Sequence, residues 1–122
     1  MSLIAVFLGG GIGSVLRYLL GALFKNPSSV FPFGTFFVNI VGSLFLGFML
    51  GLFMSKISAN SHTKLFFTVG IAGGFTTFST FSVETFHLFR EGHSYLMLIY
   101  PIASIIFGFA AVLVGFYLAR TF

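Results

Sequence analysis

Four long apolar stretches, separated by short polar ones, organise this chain. They cover about residues 3–24, 34–54, 65–89 and 95–118. Each reaches the roughly 20 residues that an α-helix needs to cross the hydrocarbon core of a bilayer. None alternates polar and apolar positions at period two, as a transmembrane β-strand would, so the pattern predicts four membrane-spanning helices. The connections are KNPSSVFPF, SKISANSHTK and REGHS. Pro27 and Pro32 break the first, Ser58, Asn60 and Ser61 mark the second, and Gly92 marks the third. Connections this short leave no room for a soluble domain, so residues 1–122 read as one four-span membrane domain. The first stretch lacks a basic leading segment and is too long for the apolar part of a signal peptide. It is expected to be a retained span.

Composition moves the picture the same way. Hydrophobic residues make up 57% of the 122 positions and charged residues 7%, against about 25% charged in soluble domains. Such a chain cannot cover a water-facing surface. It has no cysteine, which excludes disulfides and thiolate metal sites. The formal charge of +4 is carried by scattered residues, Arg17, Lys25, Lys56, Lys64, Arg90 and Arg120. They form no basic stripe of the kind that binds nucleic acid.

The placement of those six residues bears on topology. Four spans put both termini and the second connection on one side, with Lys56, Lys64 and Arg120; the other side has Lys25 and Arg90, with Arg17 in the last turns of the first span. Orientation follows an excess of Lys and Arg on the cytoplasmic side, and three against three gives none. Insertion in both orientations accounts for the balance, and so does a weak bias hidden by a misplaced boundary. Dual insertion would favour an antiparallel dimer, an arrangement resembling the inverted repeats of larger transporters.

Small and polar residues define faces within the spans. Gly9, Gly13 and Gly21 share a stripe with Arg17; Gly47 and Gly51 lie on the second span, and Ser104, Gly108, Ala111 and Gly115 on the fourth. Small residues four apart let helix backbones approach in lipid, so close packing is the expected role of these glycines. On the second span Thr35, Asn39 and Ser43 extend the same spacing into a narrow polar stripe. Polar side chains within a membrane face the bundle interior or a watery path. Interhelical adhesion and an ion pathway both account for Asn39.

The third span carries the strongest signal, Gly73-Gly74-Phe75-Thr76-Thr77-Phe78-Ser79-Thr80-Phe81-Ser82. Two glycines followed by a cluster of hydroxyl residues make a poor continuous helix, because Ser and Thr compete for backbone hydrogen bonds. A helix broken at mid-membrane bares carbonyl and N–H groups that lipid cannot satisfy. Discontinuous spans of this kind hold substrates or coupling ions. Phe75, Phe78 and Phe81 recur at three-residue spacing. An aromatic ring offers a positive edge to an anion and a negative face to a cation, and the sequence leaves both open. Glu84 on the third span and Arg17 on the first are costly within lipid unless paired or functional; they could pair with one another. No nucleophile triad, phosphate loop or metal-ligand spacing is present, so an enzyme is not expected.

Taken together, GGGIGSVLRY at 9–18, FGTFFVNIVGS at 33–43 and GIAGGFTTFSTFSVE at 70–84 resemble the Fluc-type, CrcB-like bacterial fluoride channels, and the resemblance covers essentially the whole chain. It implies an all-α membrane protein with four helices per subunit, the third broken at mid-membrane, assembled as an antiparallel, dual-topology homodimer in the bacterial cytoplasmic (inner) membrane. It implies passive, fluoride-selective efflux through two pathways per dimer. Asn39 would be a fluoride-pathway donor and Phe78 and Phe81 the pore phenylalanines. Ser79 and Thr80 would form the hydroxyl track, Glu84 the pore-end glutamate, and Tyr100 and Ser104 the polar positions of the fourth span, with Thr35 and Ser43 on the same pathway. Arg17 would be a structural or vestibule residue. A structural sodium ion at the dimer interface would sit on the backbone carbonyls of Gly73 and Thr76 from both subunits. The partners implied are a second copy, fluoride and the bilayer, with no nucleic acid.

Two other readings remain. A dual-topology, proton-coupled small multidrug antiporter would use Glu84 as its carboxylate, but the absence of Trp and the hydroxyl-rich cluster fit it less well. A purely structural membrane protein would use the polar residues as helix adhesive.

Overall fold

The computed structural model describes residues 1–55 and 59–121; Lys56 and Ser58 of the second connection lie outside the described residues. The described chain is all-helical. Helix α1 spans Ser2–Leu23 and α2 spans Phe33–Ser55. A third helical stretch is built in pieces: α3 over Ser61–Leu65, a π-helical segment over Phe66–Ala72, and α4 over Gly73–Phe75. After two extended residues, α5 spans Phe78–Arg90, and α6 spans Ser94–Thr121. Four stretches are long and apolar enough to cross a membrane: Ser2–Leu23, Phe33–Ser55, Ser61–Arg90 and Ser94–Thr121.

The third stretch starts earlier than its hydropathy suggests. The side chain of Asn60 accepts a bond from the Thr63 amide at 2.8 Å, a helix N-cap that folds the polar Ser61-His62-Thr63-Lys64 into the first turn. At the other end Gly92 adopts a positive φ of 78°, closing α5 in the left-handed conformation that glycine tolerates best.

Glycines decide which helices pair. A Cβ on Gly47 would land on the backbone carbonyl of Val112, and one on Gly51 would meet the backbone of Phe116 and the methyl of Ala119; Gly115 in turn lies against the backbone of Leu44 and Phe48. Helices α2 and α6 therefore touch backbone to backbone and form one tight pair. Gly9 and Gly13 place α1 equally close to the π-helical segment and α4, and Gly74 closes on the carbonyl of Gly10. These are the small-residue contacts through which membrane helices associate. Helix α5 packs mainly on α6, with a lighter contact to α2. Phe78, Val83, Phe86 and Phe89 are exposed along it.

Candidate functional site

The third stretch is interrupted at Thr76 and Thr77, where both residues are extended (φ −78°, ψ 156° and φ −147°, ψ 121°). The glycine pair before them stays helical, so the interruption falls on the hydroxyl residues and the glycines serve packing. Four side chains hold it open. The Asn39 amide embraces Thr77 from both sides: its Oδ1 accepts from the Thr77 N–H at 2.8 Å, and its Nδ2 donates to the Thr77 carbonyl at 3.1 Å. The Thr77 hydroxyl accepts from the Thr80 N–H at 3.3 Å, capping α5. From α1, Arg17 donates to the Thr76 carbonyl at 3.3 Å and the Ser14 hydroxyl to the Gly74 carbonyl at 3.4 Å.

The consequence for the backbone is specific. In an unbroken helix the N–H of Thr77 would bond to the carbonyl of Gly73, and that of Thr80 to the carbonyl of Thr76. Asn39 intercepts the first N–H and the Thr77 hydroxyl intercepts the second. Gly73 and Thr76 thus lose their helical partners, and among the described residues Thr76 gains a side-chain donor, Arg17. A carbonyl has two lone pairs, so neutral oxygen ligands for a hard cation exist at both residues. Among the described residues no cluster of three or more His, Cys, Asp or Glu could hold a metal.

Beyond the interruption, the polar stripe of α2 continues to Glu84. The Thr35 hydroxyl donates to Glu84 Oε1 at 2.7 Å and the Tyr100 hydroxyl donates to Oε2 at 2.8 Å. Thr35 and Tyr100 are both buried. Glu84 and Arg17 are therefore not partners: Glu84 takes hydroxyls and Arg17 takes a carbonyl. Among the described residues the one acid–base contact is between His93 and Glu91, at 3.9 Å.

Aromatic rings run alongside this polar path. The Phe78 and Phe81 centroids are 5.6 Å apart with planes tilted by 35°, and Phe81 lies 5.0 Å from the Tyr100 ring, which Phe31 meets edge-on at 5.4 Å. Phe78 is 79% exposed, so its ring stands off the surface of the single subunit. The hydroxyls of Thr77, Ser79 and Thr80 form a local network, with Thr77 to Thr80 at 3.1 Å and Thr77 to Ser79 at 3.4 Å. Ser104 is one turn from Tyr100 on α6, and its hydroxyl is buried with no partner among the described residues. Ser43 faces α6 near Gly108.

A cavity of about 750 Å³ opens between the end of α1, the first connection, the start of α2 and α5. Arg17, Lys25, Thr35, Thr77, Thr80 and Glu84 are among its lining residues. It joins Arg17 of α1 and Lys25 of the first connection to the Thr35–Glu84 end of the polar path. Asn39, Ser43, Ser79, Phe78, Phe81, Tyr100 and Ser104 do not line it. Of the residues that hold the interruption, Thr77 and Ser14 were assigned no role from sequence. The spacing of Thr77 to Thr80 is that of a capping residue and its acceptor turn, which was the available signal.

A family model described as CrcB-like protein, Camphor Resistance (CrcB), matches residues 4–116. The chain belongs to the CrcB-like family. CrcB-like relatives match it nearly end to end. The fluoride-specific ion channel FluC of Azobacteroides pseudotrichonymphae is 43% identical over 118 residues, covering 96% of this chain and 94% of its own. The protein of that name from Phocaeicola vulgatus is 43% identical over 120 residues, covering 98% of both. That from Aquifex aeolicus is 40% identical over 118 residues, covering 96% and 95%.

Proposed function

We propose that this CrcB-like chain is a fluoride-selective ion channel that lets fluoride leave the bacterial cytoplasm passively across the inner membrane. The observation that carries the reading is the interruption at Thr76–Thr77, held by Asn39 and followed by a row of hydroxyls leading toward Glu84. The names of its relatives, fluoride-specific ion channels, point to the same ion.

Fluoride is small, strongly hydrated and a strong hydrogen-bond acceptor. A pathway must replace its water with donors while binding it weakly enough to release it. Hydroxyls and one amide meet both needs, because none carries a full counter-charge. Asn39 retains one amide hydrogen after serving Thr77. Ser104 offers a buried hydroxyl with no partner among the described residues, and Ser43, Ser79 and Thr80 add further hydroxyls. Thr35 and Tyr100 donate their single hydroxyl hydrogens to Glu84, so each would reach the ion only by releasing the carboxylate. Phe78 and Phe81 would turn their positive edges to the passing ion. Arg17 and Lys25 at the cavity would draw anions toward the mouth.

The working unit in this reading is an antiparallel, dual-topology homodimer with two pathways. The balanced charge count supports dual insertion, and the exposed Phe78 and apolar face of α5 support a second copy. Thr76 is close to the midpoint of the 30-residue stretch Ser61–Arg90, which supports a break at mid-membrane depth. The Gly73 and Thr76 carbonyls of both copies would hold a structural sodium ion. When bound, it would supply a fixed positive charge and a tie between the two interrupted helices.

The test against the antiporter reading is fluoride efflux from liposomes with and without a pH gradient. Efflux should follow the fluoride gradient alone, and Glu84→Gln should keep measurable efflux that ignores pH. Loss of all transport in Glu84→Gln, with wild-type transport driven by a proton gradient, would favour the antiporter. Labelling of a terminal tag from both faces of the membrane tests dual insertion; labelling from one face alone would refute it.

A further inference from the structure

We propose that Thr77 is a positioning residue for permeation, acting through the two helix ends that it separates. Its backbone is fixed on both sides by Asn39, at 2.8 and 3.1 Å. Its hydroxyl does work that no neighbour duplicates. By accepting from the Thr80 N–H, it starts α5 one residue later, at Phe78, and keeps that N–H from returning to the Thr76 carbonyl. The same hydroxyl lies 3.1 Å from Thr80 Oγ1 and 3.4 Å from Ser79 Oγ. It therefore sets where the first turn of α5 directs Phe78, Ser79 and Thr80, and it leaves the Thr76 carbonyl to Arg17 and to a cation.

Without the hydroxyl, Thr80 can bond to Thr76 and the helix can close across the gap. Closure makes Thr77 the first residue of α5 and changes the path by which the chain enters the turn that carries Phe78, Ser79 and Thr80. Asn39 would still grip the Thr77 backbone, so the fold persists while the opening loses its second support. The inference rests on the channel reading for its flux measurement, and on the sodium reading for its second measurement only.

The experiment compares Thr77→Ser, Thr77→Asn, Thr77→Ala and Thr77→Val in the purified full-length protein, reconstituted into liposomes. Serine and asparagine cap helices well and alanine and valine do not, whereas size runs in a different order. Fluoride efflux should rank by capping: serine within about twofold of wild type, asparagine close behind, and alanine and valine down about fivefold or more, the population ratio that one lost cap represents. Equal efflux from the serine and alanine variants would overturn the proposal, as would an asparagine variant no better than alanine. If the valine variant does not fold, the serine and alanine pair still decides. Melting temperature in sodium against potassium is the second measurement. Alanine should lose the sodium-dependent rise that serine keeps; a full rise in alanine would overturn the claim that Thr77 frees the Thr76 carbonyl. No rise in wild type would instead remove the sodium reading, with the flux ranking still deciding the role of Thr77.

Discussion

Helices α2 and α6 meet through glycines, carbonyls and methyl groups with almost no polar chemistry between them. Helix α5 shows the opposite arrangement. Its start is a capped turn of hydroxyls, most of its large apolar residues are exposed, and its hold on the rest of the subunit includes bonds from Thr35 and Tyr100 to Glu84 beside the buried Leu88 and the Phe81–Tyr100 contact. The first region is rigid because backbones in contact cannot yield. The second is defined by directional bonds whose partners sit on other helices. In the proposed channel the small residues would carry stability and the hydroxyls ion handling, so variants of the two should fail in different ways.

The largest effect is expected where backbone meets backbone. Gly47→Val puts a branched side chain onto the Val112 carbonyl and should destabilise the protein by about 3 kcal/mol or more, read as loss of a folded peak in size-exclusion chromatography. A folded, fully active variant would break the distinction. Asn39→Ala comes next. It strips both partners from the Thr77 backbone, at about 1–3 kcal/mol for each buried group left unsatisfied. It should lower the melting temperature and abolish fluoride efflux while the helical circular dichroism stays near wild type.

Tyr100→Phe removes one hydroxyl from the Glu84 carboxylate and should cost about 1.5–3 kcal/mol, as bonds to charged groups do, measured by thermal melting. Phe78→Ile should change stability by no more than about 0.5 kcal/mol, because the ring is 79% exposed in the subunit, yet it should cut fluoride efflux. Phe81→Ile should cut efflux too, with a somewhat larger stability cost because its ring packs on Tyr100. Normal efflux in both would remove the rings from the pathway. The smallest effect within one subunit is expected for Gly73→Ala, where a Cβ meets nothing within 4 Å. If that variant loses dimers in chromatography while its helicity is unchanged, the obstructing atoms belong to the second copy.

Much of this was written in local spacing. Apolar runs of membrane-crossing length mark the four stretches, and glycines four apart mark the close contacts. The four-residue spacing of Thr35 and Asn39 put both on the face that meets the third stretch, where one reaches Glu84 and the other reaches Thr77. What spacing cannot carry is which non-local partner wins. The Gly73-Gly74 pair drew attention as the weak point of a helix, but Gly74 packs tightly on α1 and stays helical, while Asn39 from another helix fixes the interruption two residues later. Arg17 and Glu84 looked able to pair, and each found an uncharged partner. The π-helical turn over Phe66–Ala72 left no mark in the hydrophobic pattern; it lies where Gly9 and Gly13 of α1 approach that backbone most closely.

The most direct test of the central claim uses fluoride and chloride electrodes on parallel batches of liposomes holding the purified protein, with no proton gradient applied. The account predicts rapid fluoride efflux with chloride retained, and loss of that efflux in Asn39→Ala. Equal release of both anions, or no fluoride efflux from well-reconstituted protein, would contradict it.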